Sequence, residues 1–288
     1  MAMLPNQLPK LAQDPDGRSL GLDLPPGTLV DATSDGRWPE PLLWHAEETA
    51  GPGSWERLLP ARMTAGLHPV LLSMDAALPA TAELDPGMMS YPGDHDADEV
   101  LADFWGHEHE DDEVLADFWG HEHEDDEDEA RDEDAADLVA PFGRAWPGLA
   151  PAREFEADPD VRAAEVAATV VEAGWFKDPR AALVPARRSA DVPAAIGWTG
   201  PCNHENDVAR LCSVLRSWEE RFGVRVVALA FDVLVLSVAA PPATVREAEA
   251  VAAEHFAFCP DNITQGSGSL RAYAESLVGV PTWSFWWD

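Results

Sequence analysis

Between Asp94 and Asp137 the chain carries 22 acidic residues against a single base, Arg131. A stretch this charged supplies little apolar interior of its own, so most of any globular structure must be assembled from what flanks it. Inside it, residues 98–111 read DEVLADFWGHEHED, and residues 112–125 repeat all 14 positions unchanged. Copies that have not diverged point to a recent slippage duplication, not to two selected sites. Val100, Leu101, Phe104 and Trp105 form the stripe of a short amphipathic helix, repeated at Val114, Leu115, Phe118 and Trp119. Gly106 and Gly120 should end each helix after about two turns. One docked copy leaves the other redundant, and residues 124–137 are expected to be solvated coil or frayed helix.

The acidity is not confined to that segment. The 288 residues hold 53 acids and 19 bases, a net charge of −34; with residues 94–137 set aside, 31 acids still face 18 bases. Binding a phosphate backbone needs clustered Lys and Arg, so nucleic acid is not an expected partner. A basic protein partner suits such a surface, because opposite charge speeds and orients encounter. The start, MAMLPNQLPKLAQDPDGRS, has neither the basic region nor the apolar run of a signal peptide. No run approaches the roughly 18 apolar residues of a membrane helix, so no membrane association is expected. Three cysteines (Cys202, Cys212 and Cys259) with no CxxC pair suggest reduced thiols and a cytoplasmic setting.

Patterning divides the chain into a loose tail (1–20), a small N-terminal α/β unit (21–92), an acidic, largely disordered tandem-repeat insertion (93–138) and a C-terminal α/β domain (139–288). In the N-terminal unit, 27–32 and 41–46 read as strands, and 68–74 as a buried strand. Ser54 is expected to cap a helix to about Gly66, with Glu56 near its start and Trp55, Leu58, Leu59 and Met63 on its apolar face. In the C-terminal part, 160–173 is an Ala-rich helix, and 181–186 and 193–198 read as strands. Asn206 or Asp207 caps a helix with Val208, Leu211, Cys212, Leu215, Trp218 and Phe222 on one face, closed by Gly223. Glu219 and Glu220 are expected to face solvent. Runs 224–230 and 233–239 form a hairpin about Phe231-Asp232, a capping box at Thr244 and Glu247 opens a helix to about Phe258, and 269–278 is a further helix. Thr282–Trp287 is a last strand, with Trp283, Phe285 and Trp287 sharing one face. The order from Ala194 is β-α-β-β-α-(α)-β, so the expected fold is mixed α/β (α+β) with a ferredoxin-like C-terminal domain.

The side chains that carry chemistry are few. His107, His109, His121 and His123 stand among carboxylates, but HxH spacing aligns both rings only in an extended segment, and a metal site needs a rigid surround. No metal and no cofactor is expected. Cys259 lies near His255, Asp261 and Asn262, yet at a helix C-terminus, whose negative dipole end disfavours a thiolate. A buried cysteine before a helix-stopping Pro260 and an Asx turn explains it as well. Asn203, His204 and Asp207 sit in a polar loop able to bind a ligand or support acid/base chemistry. Asp232 belongs to a hairpin tip, where turn formation is its first role.

The segments AIGWTGPCNHENDVARLCSVLRSWEERFGVRVVALAFDVLVLSVAAPP, AAEHFAFCPDNITQGSGSLRAYAESL and WSFWWD together resemble an uncharacterised bacterial family, domain of unknown function 4253, found in actinobacteria. The resemblance is strong over Ala181–Asp288 and weaker over the N-terminal unit, and the doubled acidic segment is longer than such proteins lead one to expect. The resemblance implies a bacterial origin and a C-terminal fold boundary; it implies no activity, cofactor or catalytic residue. Two functions follow from the residues themselves. The first is a non-enzymatic intracellular interaction or regulatory protein. The second is a small-molecule-binding protein or enzyme with its site between the 200–207 and 259–265 loops, where Asn203, His204, Asp207, Asp261 and Asn262 would converge.

Overall fold

A computed structural model describes residues 5–106 and 138–288 of the chain. The second repeat copy, all four repeat histidines and residues 124–137 lie outside the described residues. Among those described, the strands are β1 (Gly27–Val30), β2 (Ala32–Thr33), β3 (Gly36–Arg37), β4 (Leu43–Ala46), β5 (Leu67–Ser73), β6 (Pro179–Pro185), β7 (Arg225–Leu229), β8 (Val233–Ser237) and β9 (Thr282–Trp286). The helices are α1 (Ser54–Leu58), α2 (Pro60–Ala65), α3 (97–106), α4 (Pro159–Ala173), α5 (Val192–Ile196), α6 (Val208–Phe222), α7 (Val245–Phe258) and α8 (Leu270–Leu277). Two compact units result. The first takes the chain up to Asp94, Arg153–Ala240 and Pro281–Asp288; the second takes His95–Ala152 and Pro241–Val280.

The first unit is built on a seven-stranded mixed sheet in the order β1-β4-β6-β5-β7-β8-β9. All seven residues of β5 are buried. Such a near-continuous apolar run is what a strand covered on both faces requires. It pairs antiparallel with β6 from Leu67↔Pro185 to Ser73↔Pro179, and parallel with β7 at Leu71↔Ala228 and Leu72↔Leu229. Trp44, Leu67, Leu71, Leu183, Val227 and Val235 share one core with Trp55, Leu58, Val166 and Val170 of the helices. Leu8, Leu11 and Leu20 enter the same core, so the stretch expected to be a loose tail is packed from Leu8 onward. On α6, Trp218 and Phe222 are fully buried against the last strand: Trp218 stacks on Phe285 at 5.6 Å, and Trp218 and Phe222 each meet Trp283 edge-on.

Several expectations are corrected. The ferredoxin-like arrangement gives way because β5, from the N-terminal part, lies between β6 and β7, while β9 pairs with β8 at the edge of the sheet. Residues 193–198 are not a strand. Pro193 sits in the first turn of the short α5, and Gly197, at φ 67°, ends it. A Cβ on Gly197 would come within 2.1 Å of the Pro86 backbone nitrogen, so glycine alone permits that approach. An apolar run of this length fits helix or strand by period alone. The helix expected over 54–66 breaks at Leu59, since Pro60 has no N–H to continue the ladder. Ser54 is its first helical residue and Gly53 the cap, and Met63 is 82% exposed instead of facing the core.

Glu219 is also not on the solvent side. Its side chain is 17% exposed, accepts from the Ala190 N–H at 3.2 Å and faces Arg188 and Arg225 at 3.6 and 3.7 Å. Arg225 in turn shares Asp160 with Arg62. Glu220 is 66% exposed, as expected.

His68 of β5 is buried, and burial, reinforced by Arg62 and Arg225 against the weaker effects of a backbone hydrogen bond at Arg187 and of Asp191, lowers its pKa to about 4. The folded protein therefore keeps His68 neutral where the unfolded chain, near pKa 6.5, already binds a proton. Its contribution is fully present above pH ~6.5 and is lost as pH falls towards ~4, up to about 3 kcal/mol. Urea midpoints of the native chain should fall across that window, and those of His68→Gln should fall less. Parallel curves would assign the acid loss to other groups.

In the second unit, Val100, Leu101, Phe104 and Trp105 of α3 are all buried, so the first repeat copy docks by its expected stripe. Trp105 meets Phe256 of α7 edge-on at 5.5 Å and donates to the Arg144 carbonyl at 3.0 Å. The Thr244 hydroxyl caps α7 at the Glu247 N–H, and the Glu247 carboxylate reaches back to the Ala243 N–H. Among the described residues no helix is long and apolar enough to cross a membrane.

Candidate functional site

The residues singled out in the sequence fall in both units: Asn203, His204 and Asp207 in the first, Asp261 and Asn262 in the second. In the first unit these groups tie the chain together. Asn203 Nδ2 donates to the backbone oxygen of Asp288 at 2.8 Å. Asp207 caps α6 through the Ala209 N–H at 3.2 Å and also accepts from the Ser90 N–H at 2.9 Å. His204 is half-buried in a turn, its N–H donating to the Pro201 carbonyl.

In the second unit, Cys259, Asn262, Tyr273 and His255 form one buried chain of hydrogen bonds. The Cys259 thiol donates to Asn262 Oδ1 at 3.6 Å, Asn262 Nδ2 donates to the Tyr273 hydroxyl at 3.1 Å, and His255 Nδ1 lies 3.0 Å from the same hydroxyl. A π-helical segment, Asn262–Ser267, turns Asn262 inward and leaves Asp261 half-buried, where it accepts from Gln265. Burial pushes the Tyr273 phenol up. All four side chains are under a tenth exposed, so this set joins α7 to α8 and is closed to a substrate in this conformation. The sequence located the cluster, and its closure comes from Tyr273, which gave no signal of its own.

An open site lies elsewhere in the first unit, at the carboxyl ends of the parallel strands β5 and β7, where open sheets commonly hold ligands. A cleft of about 200 Å³ is lined there by Asp75, Leu78, Trp175, Lys177, Phe231 and Asp232, among others. Local structure fixes each wall. Gly174, at φ 70°, closes α4 and throws Trp175 outward, 48% exposed, while Phe176 turns into the core edge-on to it at 5.6 Å. The Ser73 hydroxyl donates to the Lys177 carbonyl at 2.8 Å, joining the two sides. Asp75 accepts from the Ala77 N–H at 2.9 Å in an Asx turn. Phe231 and Asp232 form the β7–β8 tip, closed by the Ala230 N–H to the Val233 carbonyl, and the Trp287 N–H donates to the Asp232 carbonyl. Lys177 Nζ donates to the Gly174 carbonyl at 3.1 Å, placing its charge at the negative end of α4.

The cleft therefore offers two carboxylates and two aromatic faces. Cys212 takes no part in such chemistry: it is fully buried in α6, and burial drives its thiol far above the ordinary range. Asp232 was legible as a turn residue; its place in a cleft was not. Trp175, an aromatic just past a helix-ending glycine, was the available signal. Among the described residues no group of His, Cys, Asp and Glu is arranged to hold a metal ion.

Residues 180–288 match the model of a family described as a domain of unknown function, DUF4253. The match takes in the β7–β8 tip of the cleft but neither Asp75 nor Trp175. No curated protein and no solved structure matches the chain.

Proposed function

We propose that the protein works by recognition, taking an arginine side chain of a basic partner protein into the cleft between Asp75, Trp175, Phe231 and Asp232. The observation that carries this reading is an exposed tryptophan held beside two carboxylates in a chain of net charge −34. A guanidinium stacks on an indole face and forks onto carboxylates, a combination that lysine reproduces poorly. The acidic surface would speed encounter, and the cleft would supply the selectivity.

Calorimetric titration of an arginine-containing peptide, with its citrulline counterpart as control, tests this. The arginine peptide is expected to bind and the citrulline peptide is not. Asp75→Asn with Asp232→Asn, or Trp175→Ala alone, should each weaken binding by about tenfold, since about 1.4 kcal/mol is tenfold and a charge-assisted bond or cation–π contact is of that size. These are partly exposed positions, so thermal stability should hold. Unchanged affinity in both variants would reduce the attraction to bulk charge and remove the site.

A further inference from the structure

A second cleft in the first unit, of about 320 Å³, has a different chemistry. Its floor is Trp44 and Ala46 of β4 with Ala181 of β6, and Leu24, Pro25 and Leu58 form apolar walls. Trp44 is held firmly: a Cβ on Gly27 would fall within 2.3 Å of its indole, so the ring occupies the space that a side chain at 27 would take. Ser54, Arg57, Asp23 and Glu48 supply the polar lining.

The donors there are open. Ser54 Oγ accepts from the Gly51 N–H at 3.0 Å and from Arg57 Nη2 at 3.1 Å. Both acceptor positions of the hydroxyl are thus occupied, and its own proton remains to be given. Ser54 is 7% exposed, and among the described residues no acceptor takes that proton. Arg57 forms no ion pair among the described residues, although Arg62, Arg188, Arg216 and Arg225 each hold a carboxylate. An O–H and a guanidinium fork converging on one place suit a carboxylate. Asp23 and Glu48 on the same cleft oppose a second negative charge and favour an ammonium. The apolar floor and walls require an apolar body, and the volume sits at the small end of ligand pockets, which start near ~300 Å³.

We propose that this cleft binds a zwitterionic α-amino acid with an apolar side chain, its carboxylate on Arg57 and Ser54, its ammonium towards Asp23 and Glu48, and its side chain over Trp44. The proposal is independent of the partner-binding reading, which concerns other residues.

Calorimetry on the full chain with three probes tests it: L-phenylalanine, 3-phenylpropionate, which lacks the ammonium, and phenethylamine, which lacks the carboxylate. L-Phenylalanine is expected to bind about tenfold or more tightly than either truncated probe, a difference of about 1.4 kcal/mol or more. Arg57→Gln should weaken L-phenylalanine and 3-phenylpropionate and leave phenethylamine unchanged. Asp23→Asn with Glu48→Gln should weaken L-phenylalanine and phenethylamine and leave 3-phenylpropionate no weaker. No binding of L-phenylalanine, equal affinity for all three probes, or a uniform loss of all three in Arg57→Gln would overturn the proposal. The comparison of probes on the unmodified chain decides it even if a variant folds poorly.

Discussion

Trp218→Ala is expected to destabilise the protein by about 3–5 kcal/mol, the range for removing a large aromatic from a closed core. Trp218 is 0% exposed and lies between α6 and the edge strand, stacked on Phe285 at an interplanar angle of 15° and edge-on to Trp283 at 78°. Removing the indole takes away the ring that both β9 aromatics pack against. The loss is a large share of the roughly 5–15 kcal/mol by which domains are stable. Denaturant melts check it, with Glu220→Ala as the exposed control at under about 0.5 kcal/mol. A Trp218→Ala midpoint equal to that of the control would mean that α6 does not close this face of the sheet.

Asp191→Ala is expected to cost a similar amount, about 3–5 kcal/mol, for a different reason. Asp191 holds Arg216 through two bonds, Nε–Oδ1 at 2.5 Å and Nη2–Oδ2 at 2.9 Å, with side chains only 9% and 14% exposed. Tyr91 lies under the guanidinium, 5.0 Å from its centre. Removing the carboxylate leaves a shielded cation without its bidentate partner, and Arg216 cannot shed its proton to relieve the penalty. Adding Arg216→Met should recover part of the loss, because an apolar chain of similar length needs no partner. Equilibrium unfolding of the single and double variants decides the matter: a double variant as unstable as Asp191→Ala alone would show that packing, not the stranded charge, sets the cost.

The elements of the fold were legible where local physics decides them. The period-3.6 stripe of α6, a cap at Asn206 or Asp207 and its closing Gly223 were all in the sequence, as were the β7–β8 hairpin and the alternation of Trp283, Phe285 and Trp287. Val100, Leu101, Phe104 and Trp105 were identifiable as a docking stripe. Where the run was short and apolar on all sides, as at 193–198, period gave no direction. A helix formed because Pro193 and Gly197 suit its two ends. Glu219 looked like a surface residue because its partners, Arg188 and Arg225, are remote in sequence.

The candidate sites divide in the same way. Asn203, Asp207 and Asn262 were chosen for their chemistry, and the hydrogen bonds they make hold the backbone or other side chains in place. The two open clefts join residues far apart in the chain: Asp75 with Trp175 and Asp232, and Asp23 with Arg57 and Ala181. By itself the sequence determined most of the helices and strands and which of their faces are apolar, including the stripe by which the first repeat copy docks. Those properties depend on neighbours within a few positions. Tertiary structure alone decided that β5 enters between β6 and β7, since a buried strand states its need for two partners without naming them. That one insertion sets β5 and β7 side by side in parallel, and the cleft at their carboxyl ends exists only because of it.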